Sequence, residues 1–194
     1  MWTELKRGVL FTAVTMLLFG GVYHLLVWGV SLALFPNQAE GSLIRRGGDL
    51  VGSRLIAQRF TRAEYFHPRP SAVDYNASST GGSNFGPTNP DHLKAVRERL
   101  QAVISSERAT APVPSEMVTT SGGGLDPHIP PAAADLQAAR VARARSVPVE
   151  RVRDLIRSHT EAPTLGFLGR ARINVLQLNL ALDETLPAAS PGRP

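Results

Sequence analysis

A chain of 194 residues carries 21 Lys and Arg against 16 Asp and Glu, a formal charge of +5, and no cysteine. The missing thiols exclude disulfides, iron–sulfur clusters and thiolate zinc sites. The cations are almost all Arg, with Lys6 and Lys94 the only lysines, and they are spread along the chain instead of clustered with aromatics, which argues against a nucleic-acid partner.

Gly8 to Phe35 runs for 28 residues without Asp, Glu, Lys or Arg. As an α-helix it extends about 42 Å, against a hydrocarbon core of roughly 30 Å. Amides in lipid have no water to bond, so a helix that closes its own hydrogen bonds is the state such a segment takes. Lys6 and Arg7 precede it, Pro36 and Asn37 stop it, and Trp2 and Trp28 supply interfacial rings. A cleaved secretory signal is the rival reading, with Ser31-Leu32-Ala33 as small residues before a cut, but such apolar runs are usually about 7–15 residues long. A buried core helix rarely stays uncharged for this length. Gly20-Gly21 lets another helix approach closely. Tyr23 and His24 are costly facing lipid at mid-bilayer. Both features point to packing against further membrane helices; a tilted segment that brings Tyr23 and His24 to the headgroups is the alternative. Lys6 and Arg7 on one flank and Arg45, Arg46 and Arg54 on the other do not separate the two sides. A short basic arm stays in the cytoplasm most often, which leaves the large domain extracytoplasmic. The expected organisation is a cytoplasmic arm (1–7), a transmembrane helix (8–35), a soluble α+β domain (36–186) and a disordered tail (187–194).

Beyond the anchor, Ser42 to Ile56 reads as a hairpin turning at Gly47-Gly48, with Leu43, Leu50, Val51, Leu55 and Ile56 covering a core. His67 to Pro90 has neither helical nor strand period. Tyr65, Phe66, Tyr75 and Phe85 are interleaved there with Pro, Gly and hydrogen-bonding side chains, so an ordered loop is expected and not a linker. Asn89-Pro90 opens a helix: Asn caps the free amides, and Pro at the first position gives up an N–H that has no partner. Leu93, Val96, Leu100, Val103 and Ile104 form its stripe. Met117 to Thr120 reads as a short strand. A second helix starts at Pro130-Pro131 with Arg140, Arg143 and Arg145 mostly outward, and a third starts at Pro148. From Ile173 to Leu182 alternating leucines suggest a strand, while Asn174 and Gln177 stand at capping-box spacing; helix is the choice.

Chemistry is harder to find. Neither glycine loop is followed by Lys-Ser or Lys-Thr, so the nucleotide P-loop is absent. The five histidines show no metal-ligand spacing. Ser121, His128 and Asp126 would compose a triad for an anchored envelope hydrolase, but no nucleophile elbow surrounds the serine. Asp126 fits better as the acceptor of an Asx-type turn.

Four blocks carry a resemblance: Tyr65-Phe66 with Arg69-Pro70-Ser71-Ala72; Gly81 to Pro90; Ser121 to Ile129; and Asn174 to Asp183. Together with the single N-terminal anchor, they resemble the C-subunit family of the bacterial Kdp potassium-transporting P-type ATPase. Pro130 departs from the serine usual after the His-Ile pair. The resemblance implies a bacterial inner-membrane protein that catalyses nothing by itself. Its partners are a potassium-conducting A subunit, an ATP-hydrolysing B subunit and a small F subunit. It implies a chaperone-like role that raises the ATP affinity of the B subunit, with no tightly bound cofactor and K+ as the cargo of the complex. A nucleotide contact proposed for the family maps onto Gln137. An extracytoplasmic cap over the potassium entrance is expected to use Arg69, Ser83, Asn84, Thr88, Asn89, Ser121, Asp126 and His128 for docking, with Asn84, Thr88, Asn89, Ser121 and Asp126 ordering loops that face the entrance or holding a cation transiently with oxygen ligands. Gly20 and Gly21 are the expected membrane-helix contacts.

Overall fold

The computed structural model describes residues 1–110 and 112–187, so the expected tail falls outside it apart from Pro187. The chain divides into two compact units, Met1–Ser53 and Arg54–Pro194.

In the first unit, α1 (Trp2–Leu17) and α2 (Tyr23–Leu34) are joined by one π-helical turn, Leu18–Val22. They form a continuous 33-residue helix, Trp2–Leu34, long and apolar enough to cross a membrane. The wide turn falls on Gly20-Gly21, where helix propensity is lowest and no side chain resists the altered winding. Two hydroxyl groups inside the helix, those of Thr15 and Ser31, are satisfied by its own backbone. Thr15 Oγ1 donates to the carbonyl of Phe11 at 2.9 Å, and Ser31 Oγ to that of Val27 at 2.7 Å. Such back-bonding removes the cost of a bare hydroxyl in hydrocarbon. Phe35 leaves the helical region (φ −137°, ψ 54°), as a residue before proline tends to, and Pro36–Ala39 adds one more turn, α3.

The expected hairpin is present: β1 (Leu43–Arg46) pairs antiparallel with β2 (Asp49–Ser53), and Gly47 and Gly48 turn with φ of 60° and 94°. Its apolar face differs from expectation. Leu43, Leu50 and the following Leu55 are 45%, 56% and 57% exposed. A two-stranded ribbon has no second layer of its own to cover a face, and an irregularity between Ile44 and Arg45 interrupts the alternation that would define one.

The second unit is built on α5 (Pro131–Arg145), packed against α4 (Pro90–Glu107) and α6 (Val149–Ser158), with α7 (Val175–Thr185) on α6. Ala133, Ala134, Ala138 and Ala142 on α5 are buried and let its neighbours approach closely. Phe66, Ile129, Val141, Val152, Ile173, Leu178 and Leu182 complete a core of side chains at most 1% exposed. Each stabilises the fold by about 1.5–3 kcal/mol relative to exposure. The capping signals are realised. Asn89 Oδ1 accepts from the amides of Asp91 (2.8 Å) and His92 (3.2 Å), and Asn174 Oδ1 from that of Gln177 (3.1 Å). Pro130 begins α5 without a side-chain cap.

Both readings of 173–182 hold in part. Ile173–Asn174 form β4, paired antiparallel with β3 (His128–Ile129), and the chain then turns directly into α7. The alternating leucines mark a helix buried on more than one side, since Leu176, Leu178 and Leu182 are all within 3% of full burial. The expected strand at Met117 is instead a single 3-10 turn, Ser115–Met117, entered from Pro114. The stripe on α4 is half covered: Val96, Leu100 and Val103 pack on the core, while Leu93 and Ile104 remain 41% and 37% exposed.

Candidate functional site

The long loop before α4 is held by side chains acting as backbone. Asn179 Oδ1 accepts from the Phe66 amide at 2.8 Å, and Asn179 Nδ2 donates to the Phe66 carbonyl at 2.9 Å. One residue on, Gln137 Oε1 accepts from the His67 amide at 2.7 Å, and Gln137 Nε2 donates to the His67 carbonyl at 3.1 Å. Two buried amides thereby replace the neighbouring strand that this segment lacks. Gln137 Oε1 also accepts from Arg140 Nη2, and its Nε2 reaches the Ala133 carbonyl. Gln137 is 0% exposed, so in this conformation it presents no atom to a nucleotide.

Two arginines secure the preceding residues. Arg140 donates from Nε to Glu107 and from Nη1 to the carbonyls of Ala63 and Tyr65. Arg145 donates to the carbonyls of Glu64 and Leu186 and to Asp183, and stacks 5.1 Å from the Tyr65 ring. Tyr65 hydroxyl donates to the other Asp183 oxygen at 3.0 Å. Both arginines are buried, against the outward placement expected; Arg143 alone of the three is exposed. Helical period could not reveal this, because the carbonyls that receive them lie some 80 residues away at 63–65.

The two glycine loops meet backbone to backbone. Gly81 N–H donates to the Gly123 carbonyl at 3.1 Å. A Cβ on Gly82 would stand 2.8 Å from the Gly122 carbonyl oxygen. At Gly124 (φ 68°) one would stand 2.7 Å from Val73 and 2.9 Å from the Gly81 oxygen. Close approach, together with a left-handed backbone at Gly124, is the reason for glycine here.

Beside this seam, Arg69 Nη1 reaches Asp126 Oδ2 at 3.4 Å and Nη2 the Thr120 carbonyl at 3.2 Å, while the buried Nε has no partner. Asp126 Oδ1 accepts from the His128 amide at 3.0 Å, closing the expected turn, and stands 3.6 Å from His128 Nδ1. Burial alone would push the Asp126 carboxyl up, but the hydrogen bonds from His128 and the charge of Arg69 hold it below its ordinary 3.8. Burial, helped by the charge of Arg140, pushes His67 below 6.5.

The sign is the same for both groups. Each binds its proton less readily when folded, so each stabilises fully above its unfolded value and loses that contribution as pH falls. Unfolding midpoints are therefore expected to drop in two stages on acidification, below about pH 6.5 for His67 and below about pH 4 for Asp126. In His67→Phe the first stage should shrink. An identical profile for the two proteins would remove His67 from the account.

The expected site residues separate into groups. Arg69, Ser121 and Asp126 line one open hollow of about 460 Å³. Arg69, Asp126 and His128 also line a second, of about 290 Å³, with Glu116, Arg170 and Arg172. Asn89 serves as a helix cap, and Ser83, Asn84 and Thr88 lie along the loop rim, with Asn84 and Thr88 exposed. Gln137 is inside the core, and Gly20 and Gly21 belong to the first unit. Among the described residues no hydrogen bond joins Ser121 to His128, so the hydrolase triad is not assembled. Among the same residues no group of three or more His, Asp or Glu side chains is placed to hold a metal ion. The buried Glu107, Arg140, Arg145 and Asn179 escaped sequence reasoning. For Asn179 the available signal was a polar residue between leucines within the block Asn174 to Asp183.

A family model described as "K+-transporting ATPase, c chain" matches residues 5–184. The chain is 54% identical over 188 residues to the potassium-transporting ATPase KdpC subunit of Polaromonas naphthalenivorans, covering 95% of each protein. It is 50% identical over 189 residues to the protein of that name from Beijerinckia indica, covering 96% of this chain and 94% of the relative. It is 46% identical over 193 residues to that of Koribacter versatilis, covering 98% and 100%.

Proposed function

The chain belongs to the KdpC family, the c chains of K+-transporting ATPases, and from that premise we propose that it is a non-catalytic accessory subunit holding a potassium-uptake complex in its working conformation. The observation that carries this reading is the extent of the match, residues 5–184, which takes in the apolar helix and the packed domain together. The helix lies in the cell membrane with its N-terminus cytoplasmic and the domain outside. Gly20 and Gly21 form a side-chain-free notch for a neighbouring membrane helix. The domain caps the potassium-conducting A subunit, and the B and F subunits complete the assembly.

An effect on ATP affinity then needs no ATP contact. A subunit that prefers the conformation in which the B subunit binds ATP tightly raises that affinity by its own preference, and by linkage ATP tightens the hold on the subunit by the same factor. Gln137 supports this indirect route, because all its polar atoms are committed inside the core. ATP acts through the B subunit, and K+ passes as cargo.

The test is the purified complex with and without this chain. The chain is expected to co-purify with the transporter, to lower the apparent ATP dissociation constant, and to be retained more tightly with ATP by a matching factor. Gly20→Leu/Gly21→Leu should weaken retention several-fold, within the ~0.6–2 kcal/mol of a membrane-helix contact. Assembly and ATP affinity unaltered without the chain, or an active cytoplasmic reporter fused to its C-terminus, would overturn the reading.

A further inference from the structure

The β1–β2 ribbon carries one face that mixes leucine with a cation. Leu43 and Arg45 alternate on β1, and Leu50 stands directly across from Arg45, so the three share a face. All three are exposed. The one acid of the ribbon, Asp49, stands across from Arg46 on the opposite face. The Leu43 face is therefore apolar with a positive charge and no carboxylate of the ribbon beside it.

The place of this face is fixed by the helix before it. Leu43 is the ninth residue after Leu34, where the apolar helix ends. Nine extended residues span about 30 Å at most, and four of these are coiled into α3. Hydrogen bonds draw the rest in. Gly41 N–H donates to the Gln38 carbonyl at 3.0 Å and Ser42 N–H to the Asn37 carbonyl at 2.7 Å. Ser53 Oγ donates to the Gly41 carbonyl at 2.7 Å, so both ends of the ribbon are tied to the turn that leaves the helix. Helix and ribbon belong to one compact unit. The helix stays apolar through Leu34 and Phe35, both exposed, which brings the headgroup layer to α3 and to the ribbon held on it.

We propose that the Leu43–Arg45–Leu50 face lies on the phospholipid headgroups at the α2 end of the membrane helix. The two leucines enter the interfacial layer, and the Arg45 guanidinium binds lipid phosphate. This rests on the membrane placement of the helix given above. A guanidinium forks onto two phosphate oxygens while its aliphatic stem lies along apolar neighbours. Apolar side chains beside a basic one are the chemistry by which a surface element binds the interface. A second contact next to the rod fixes its depth and its rotation about its own axis, which one apolar helix leaves open.

The chain has no cysteine, so a single introduced one carries a reporter unambiguously. A nitroxide is attached to Leu50→Cys on the proposed face, to Asp49→Cys on the other face, and to Leu17→Cys in the apolar helix. The full chain is reconstituted in vesicles of phosphatidylethanolamine and phosphatidylglycerol, alone and within the assembled transporter. Relaxation by oxygen, which concentrates in lipid, is compared with relaxation by a water-soluble nickel chelate. The oxygen-to-nickel ratio at 50 is expected several-fold above that at 49 and below that at 17. Arg45→Glu should bring the ratio at 50 down to that at 49 and leave the ratio at 17 unchanged. Equal ratios at 49 and 50, no response to Arg45→Glu, or shielding of 50 from both reagents in the transporter, as beneath a protein partner, would each refute the headgroup contact. A lipid value at 17 keeps the membrane reading in any of these cases. If nickel reaches 17 as readily as 49, both fall.

Discussion

Arg140→Met is expected to lower the unfolding free energy by about 3–5 kcal/mol, as for other buried charges stripped of their partner. The Glu107 side chain is 2% exposed and receives Arg140 Nε at 2.8 and 3.1 Å on its two oxygens. Removing the guanidinium strands that carboxylate in the interior. It also frees the carbonyls of Ala63 and Tyr65, held at 2.6 and 2.9 Å, so the segment before Phe66 loses its anchor. The double variant Glu107→Met/Arg140→Met should recover part of the loss, since it deletes the stranded charge with its partner. Exposed Arg143, on the same helix, supplies the control, with Arg143→Ala within about 0.5 kcal/mol of wild type. Far-UV circular dichroism during urea unfolding of the full chain in detergent gives these values. A wild-type midpoint for Arg140→Met would mean that the pair is solvated in solution.

Asn179→Ala is expected to cost about 2–4 kcal/mol. The side chain is 1% exposed and serves both polar groups of Phe66, so alanine leaves a buried N–H and a buried C=O without partners at once. Asn179→Asp distinguishes this account from a simple cavity. It keeps volume and acceptor but loses the donor and adds a charge, and should be at least as damaging at neutral pH. If aspartate is tolerated and alanine is not, the cost comes from packing and not from the two hydrogen bonds.

These two sites mark where the amino-acid sequence stopped being readable. The helix long and apolar enough to cross a membrane was legible because an uncharged 28-residue run is marked by composition alone. The starts of α4 and α7 were legible because Asn89-Pro90 and Asn174-Gln177 act within three residues of themselves. Helical period failed at Arg140 and Arg145. It treats arginine as solvated, whereas here every guanidinium nitrogen is bonded, all but Arg140 Nη2 to partners distant in sequence. The hairpin's apolar residues were recognised but placed in a core that two strands cannot supply. The glycine loops were readable as turns. That they press against one another follows from contacts some 40 residues apart, which no local signal contains. The four resembling blocks are nevertheless the pieces that meet: Tyr65-Phe66 with Asn179 and Asp183, Gly81-Gly82 with Gly122 to Gly124, and His128 with Asn174.

The wide turn at Leu18–Val22 separates counting along the chain from position around the helix. Regular winding advances about 100° per residue, and a π turn absorbs one residue more than that winding needs. A contact stripe traced from Val9 or Thr12 at 3.6 spacing is therefore displaced by one position beyond Val22. Deleting one residue inside the turn should restore regular winding and keep the two halves of the rod in the same relative orientation, whereas a deletion elsewhere would swivel one half against the other.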